Sequence, residues 1–152
     1  MEIRELKKEE WTSGMALAWR TFLKYEAPVC SPEGVGSFYR FVTSVDLEKM
    51  FLIGEYKAFG AFEDGKIVGI SGVRSGNLLS ILFVDGEHQH KGIATSLVVM
   101  AGRFIRDVNK KDRMMVYAAT GAIGFYERLG FVKTGSMRQE AGIEITPMEV
   151  GI

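Results

Sequence analysis

One stretch constrains this chain more than any other. Residues 78–84 read Leu-Leu-Ser-Ile-Leu-Phe-Val, an apolar run of strand length. Such a run fits a strand buried on both faces. Beyond it, Ile93, Leu97, Met100, Ala101, Phe104 and Val108 recur at helical spacing, with Arg103, Arg106 and Asp107 between them. The turn that joins strand to helix holds Gln89, His90, Lys91, Gly92 and Ala94. A helix that starts from such a turn points free backbone N–H groups outward, and its dipole adds partial positive charge there. This is a site for an anion such as a pyrophosphate. Gly92 allows close backbone approach, Ala94 is nearly as small, and Lys91 adds a full charge. The same residues also suit an ordinary strand–helix connection with small residues for packing.

The rest of the chain supplies a frame for that unit. Residues 2–6 predict a short first strand. Trp11, Met15, Ala18, Trp19, Phe22 and Tyr25 predict a helix over 8–26, with an aromatic stripe turned to the core. Pro28 and Pro32 interrupt it, and Ser31-Pro32-Glu33 reads as the cap and first turn of a second helix carrying Phe38, Phe41 and Val42. Asp46 to Met50 suits a short helical turn. From Tyr56 the period changes to strands. Lys57–Glu63 and Ile67–Val73 flank Asp64-Gly65, a hairpin signal, and Ser75-Gly76-Asn77 turns into the 78–84 strand. Gly69 and Gly72 suggest close backbone packing. Met114–Ala119 follows a helical crossover, which makes it a parallel neighbour of 78–84. Thr120 is placed to cap a short helix through Leu129, with Gly130 ending it and Ala122, Phe125 and Leu129 facing the core. Phe131–Arg138 and Ile143–Val150 form a last strand pair joined near Ala141-Gly142. The expected fold is α/β (α+β), with one domain over residues 1–152. Its sheet is mixed and mostly antiparallel, of six to seven strands with a parallel central pair, and has helices on both faces.

Composition narrows the function. The 152 residues carry no net charge, so no global field draws nucleic acid or an anionic membrane. Lys7-Lys8 and Lys110-Lys111 read as solvated ends. Cys30 is the one cysteine, which excludes an intrachain disulfide and a cysteine metal cluster. It reads as a small buried hydrophobe, without a recognisable histidine partner. The charged N-terminus does not resemble a signal peptide, and no apolar run approaches the ~20 residues of a membrane span. We expect a cytoplasmic protein that binds neither metal nor nucleic acid nor membrane.

A second block, Ile123-Gly-Phe-Tyr-Glu-Arg-Leu-Gly-Phe131, places Tyr126 beside Phe125 on the short helix. An unperturbed phenol has a pKa near ~10, so Tyr126 is protonated at neutral pH and able to give a proton to a leaving group. A half-buried structural tyrosine fits the same residues.

Taken together, the two blocks resemble the GNAT superfamily of N-acetyltransferases. Gln89-His90-Lys91-Gly92-Ile93-Ala94 is similar to the family's acyl-CoA signature, and Ala122 to Phe131 to its second signature. The resemblance implies acetyl-CoA as cosubstrate. The amides of Gln89, His90, Lys91, Gly92, Ile93, Ala94 and Thr95 would hold its pyrophosphate. The backbone of Phe83 and Val84 would pair with the pantetheine arm, and Tyr126 would protonate the CoA thiolate. Acetyl would pass to a primary amine of a small molecule or peptide, by direct attack in a ternary complex. The protein would be a monomer or homodimer, with its acceptor lying near Tyr25 to Gly34.

The sequence departs from the family pattern at Ala119, often Asn, and at Gly86, often Pro. It also lacks a glutamate on the strand before the loop, where Ser80 is the polar residue. The base then comes from Glu55, Glu87, His88, Glu26 or Glu33, or from water. A non-catalytic acyl-CoA-binding or sensing domain is the alternative. A nucleotide-binding module is disfavoured, since no Gly-Lys-Ser/Thr follows the loop and no G-x-G-x-x-G occurs.

Overall fold

The computed structural model describes residues 1–152. Strands β1 (Glu2–Glu5), β2 (Lys57–Glu63), β3 (Lys66–Arg74), β4 (Leu78–Val84), β5 (Arg113–Ala119), β6 (Val132–Lys133), β7 (Arg138–Glu140) and β8 (Ile143–Gly151) form one sheet. Its order is β1-β2-β3-β4-β5-β8-β6, with β7 also on β8. Every pairing is antiparallel except β4 with β5. Helices α1 (Trp11–Tyr25), α2 (Pro32–Val42) and α3 (Val45–Leu52) precede β2, α4 (Ile93–Asp107) links β4 to β5, and α5 (Ile123–Arg128) follows β5.

Turn chemistry sets the meander. Asp64 and Gly65 both have positive φ, as do Ser75 and Gly76 and then Ala141 and Gly142. A two-residue turn with φ > 0 at both positions matches the twist of the strands it joins.

Helices cover both faces. On one, Trp11, Met15, Ala18 and Val42 pack with Ile70 and Ile81; on the other, Ile93, Leu97, Ala101 and Ile105 of α4 pack with Val68, Leu79 and Val84. Leu97 is fully buried, and sealing a side chain of this size contributes about 1.5–3 kcal/mol. The α4 helix lies close on β3, because a Cβ at Gly69 would sit 3.0 Å from Leu97 Cδ1. No helix is long and apolar enough to cross a membrane.

Three local expectations change. The sheet has eight strand segments, because the expected 131–138 strand is broken into β6 and β7, both paired with β8. The break lies opposite Pro147, which has no N–H to give to the ladder. Gly135 sits against its ring, where a Cβ would stand 3.1 Å from Pro147 Cγ. Thr120 does not cap α5. It opens a 3-10 turn, Thr120–Ala122, and no side chain caps the helix. Gly130 does end it, at φ +94° with its N–H on Glu127 O. Finally, Tyr126 is the buried member of its pair and Phe125 the half-buried one, because the short helix turns residue 126 under β5 and against Phe131.

Candidate active site

The site begins at a bulge. Gly72 pairs with Ile81 and Val73 with Leu79, so Ser80 is an extra residue in β4. A bulge bends its strand and resets which side chains face which way. Leu79 therefore shares a face with Val84, while Ile81 and Phe83 turn to the α1 side. Ser80 is held in place by Tyr56, a fully buried phenol whose hydroxyl lies 3.2 Å from Ser80 Oγ.

From this point the two parallel strands part. β4 pairs with β5 only at Leu78–Met115 and Leu79–Val116. Beyond Ser80 the β5 side of β4 is a free edge. Asp85 N–H donates to Val68 O on the β3 side, and Phe83 lies in the equivalent pairing with Ile70. Backbone groups alternate along a strand, so Leu82 and Val84 present theirs to the gap. This corrects the expectation for Phe83, whose backbone is turned to β3 and whose ring lies 5.4 Å from that of Phe38.

The loop after β4 carries the second part. Gln89 Nε2 donates to Val84 O at 3.2 Å, which ties the loop to the end of the strand. His88 is braced between two carboxylates, with Nε2 2.6 Å from Glu63 and Nδ1 3.3 Å from Asp85. Gly86 has the Tyr25 hydroxyl directly over it, in the space a Cβ would need. His90 and Gly92 have positive φ, at 62° and 80°. Gly92 is the N-cap of α4 and makes no side-chain cap, so the first N–H groups of the helix stay open. Nothing lies within 4 Å of a Cβ built on Gly92. Open amides, a helix N-terminus and a clear approach fit a pyrophosphate.

Gap and loop open into one cleft of about 610 Å³, within the range of small-molecule sites. Val84, Phe83, Gln89, His90, Gly92, Ile93, Ala94, Thr95 and Tyr126 line it. Lys91 does not; its side chain is exposed. Among the five candidate bases, Glu26 and His88 reach the cleft. Glu87 is exposed on the loop, Glu33 is exposed in the first turn of α2, and Glu55 lies with Lys57 and Phe104 at another concavity. Cys30 is half-buried rather than enclosed.

Tyr126 is 5% exposed and its hydroxyl has no hydrogen-bond partner within the protein. Burial raises its pKa above the ordinary phenol value, and the nearby charge of Glu26 raises it further. Glu26 closes α1, has neither ion pair nor hydrogen bond through its side chain, and is pushed up by burial. The cleft thus pairs a phenol that keeps its proton with a carboxylate poised to take one.

The sequence profile described as Acetyltransferase (GNAT) domain matches residues 26–152. The chain belongs to the GNAT family of acetyltransferases. It is an acyltransferase of that family, with the family's splayed mixed sheet. No curated protein matches it in sequence. Solved GNAT structures share the fold at low identity. A GCN5-related N-acetyltransferase from Rhodopseudomonas palustris has TM-score 0.83 and 16% identity, over 99% of this chain and 95% of that one. The PaiA N-acetyltransferase of Thermoplasma acidophilum, solved with coenzyme A, has TM-score 0.81 and 20% identity, over 99% and 98%. A spermidine N-acetyltransferase SpeG variant from Vibrio cholerae has TM-score 0.69 and 17% identity, over 99% and 92%.

The bulge at Ser80 had no signal in the apolar run that contains it. Leu82 as a gap-facing group was missed for the same reason. That Glu26 and His88 reach the cleft while Glu33, Glu55 and Glu87 do not could be seen only in the fold.

Proposed function

We propose that residues 1–152 act as one cytoplasmic N-acetyltransferase unit that moves acetyl from acetyl-CoA to a primary amine, with both substrates bound together. One observation carries the reading: the open N-terminus of α4, the edge of β4, the Tyr126 phenol and the Glu26 carboxylate line a single cleft. The likeness to a structure holding coenzyme A supports the donor, and the spermidine acetyltransferases among the fold's relatives support an amine acceptor.

Acetyl-CoA supplies the acyl group as an activated thioester. The amides of Ile93, Ala94 and Thr95, with the Gln89–Gly92 loop, hold the pyrophosphate. Backbone groups of Leu82 and Val84 pair with the pantetheine amides as an added strand would, which aligns the thioester along the gap. Glu26 receives a proton from the incoming ammonium, directly or through water, and leaves the amine able to attack. One N–C bond forms and one C–S bond breaks; Tyr126 delivers its proton to the departing sulfur and regains one as the new amide nitrogen sheds its second proton through water. The pKa directions suit these roles, since burial keeps Tyr126 a phenol and makes Glu26 a stronger base than an exposed glutamate.

The test follows thiol release with acetyl-CoA and a panel of amines. Tyr126→Phe keeps the ring and its packing. It is expected to lower kcat about 100-fold, the scale of general acid catalysis, while acetyl-CoA still protects the protein against heat. Unchanged kcat would remove Tyr126 as the acid.

A further inference from the structure

The end of α1 rests on the start of the donor loop. Phe22 is the last buried residue of the helix, and Leu23, Lys24 and Tyr25 beyond it are exposed. The Tyr25 hydroxyl nonetheless lies directly on Gly86, the first residue of the 3-10 turn Gly86–His88 that follows β4. The approach is end-on. A Cβ at Gly86 would overlap the hydroxyl oxygen, while Tyr25 Cζ behind it, like Lys24 Nζ, would stand at 3.4 Å. Gly86 is not among the glycines of positive φ. Its backbone accepts a side chain, so what the glycine supplies is room for the phenol.

This seat joins two parts of the site. Glu26 follows Tyr25 directly and closes α1 through its N–H on Phe22 O. Tyr25 and Glu26 both line the main cleft, and both line a second cavity of about 570 Å³ whose other wall is the start of β8. They form the ridge between the two. Beyond them, Ala27–Val29 is a 3-10 turn with local backbone bonds, and Val29 is exposed. Neither the Tyr25 hydroxyl nor the Glu26 carboxylate has a hydrogen-bond partner in the protein. The place of this ridge relative to the donor loop is therefore set by packing at Gly86.

That place matters because Glu26 has to reach the amine that attacks a thioester held along β4. A misplacement of about 1 Å in such a site costs on the order of 100-fold in rate. We propose that Tyr25 is a positioning residue for acetyl transfer: seated on Gly86, it sets how far Glu26 stands from the thioester. This rests on the acetyltransferase reading of the cleft. Tyr25 neither takes nor gives a proton; it acts through where it holds the end of α1. The contact is one oxygen atom deep. Removing that oxygen leaves a gap, and adding a methyl at residue 86 overfills it. Making both changes puts the methyl where the oxygen was, 3.4 Å from Cζ.

The experiment is a double-mutant cycle on Gly86→Ala and Tyr25→Phe, with Tyr25→Ala beside it. Thiol release from acetyl-CoA is followed with n-butylamine, spermidine, free lysine and a lysine-containing peptide, and kcat and KM are taken with the amine turned over fastest. Gly86→Ala is expected to lower kcat about 10-fold and Tyr25→Phe about threefold, fractions of the cost of a full misplacement. The double variant is expected to recover most of the wild-type kcat. Tyr25→Ala, at an exposed position and with nothing overpacked, is expected to lower kcat about 10-fold. KM for acetyl-CoA and the heat protection it gives are expected to stay at wild-type values throughout, because the loop amides are untouched. A contact that served folding alone would lower Tm in Gly86→Ala and leave kcat unchanged, which overturns the proposal. So does a wild-type kcat in Tyr25→Ala, a Gly86→Ala loss that Tyr25→Phe does not relieve, or a loss confined to KM for acetyl-CoA. Each of these leaves the acetyltransferase reading standing. Failure of the wild-type protein to acetylate any of these amines overturns both.

Discussion

Glu26 and Tyr126 line the same cleft without side-chain hydrogen-bond partners, and the charge of Glu26 bears on the Tyr126 phenol. Burial, then the charge of Glu26, raises the cost of ionising Tyr126, whereas burial alone raises that of Glu26. Tyr126 is therefore held as a phenol, and burial makes Glu26 ionise late.

That relationship sets a pH dependence. Burial raises the Glu26 pKa, so the carboxylate needed to take a proton is present only above its raised value. The acid limb of kcat/KM is expected to lie above the usual glutamate pKa of about 4.3, and Glu26→Gln is expected to remove that limb and slow the reaction. Stability runs the other way. A folded pKa above the unfolded one contributes stability that is complete below the unfolded value and is lost as pH rises through the folded value. Glu26→Gln is expected to raise Tm at pH 8 and to leave it unchanged at pH 4. A Tm gain equal at both pH values would show that ionisation is not the cause.

Gly92 tests the donor loop. Its φ of +80° is one that a side chain adopts at a cost of about 1–2 kcal/mol, and its missing Cβ leaves the approach to the α4 amides clear. Gly92→Val is expected to abolish the heat protection given by acetyl-CoA, with a fall of only a few degrees in the Tm of the free protein. Full protection in the variant would place the pyrophosphate elsewhere.

His88 tests the brace behind that loop. Its two ring nitrogens face Glu63 and Asp85, so it joins the loop to the end of β2. His88→Ala is expected to raise KM for acetyl-CoA about fivefold, equivalent to roughly 1 kcal/mol of lost positioning, with kcat little changed. Steady-state kinetics at saturating amine read both values.

Gly72 tests the bulge. A Cβ there would overlap the hydroxyl and ring of Tyr56, which is fully buried and bonded to Ser80. Gly72→Ala is expected to cost about 1–3 kcal/mol, the scale of overpacking. It is also expected to lower kcat/KM, because the bulge aims the free edge of β4. Thermal melts and initial rates measured together separate the two effects.

Much of the site was legible locally. The loop from Gln89 to Thr95 was, because a helix start and a glycine at positive φ are properties of a few adjacent residues. The Asp64-Gly65 turn was legible for the same reason. Ser80 was not, since a bulge exists only relative to the strand beside it. Phe125 and Tyr126 exchanged burial because a six-residue helix has too few turns to show a periodic face. Glu26 stood among four glutamates and a histidine with no local sign to separate them, and 100 residues separate it from Tyr126 in the chain.

By itself the sequence determined the family and the strand–loop–helix unit, since each is encoded by short-range spacing. Only the tertiary structure decided where β4 leaves β5, which backbone groups meet the gap, and which carboxylate is partly buried in the cleft with Tyr126. Those depend on what lies against a residue from distant parts of the chain, and desolvation is a property of the packed surroundings rather than of the residue.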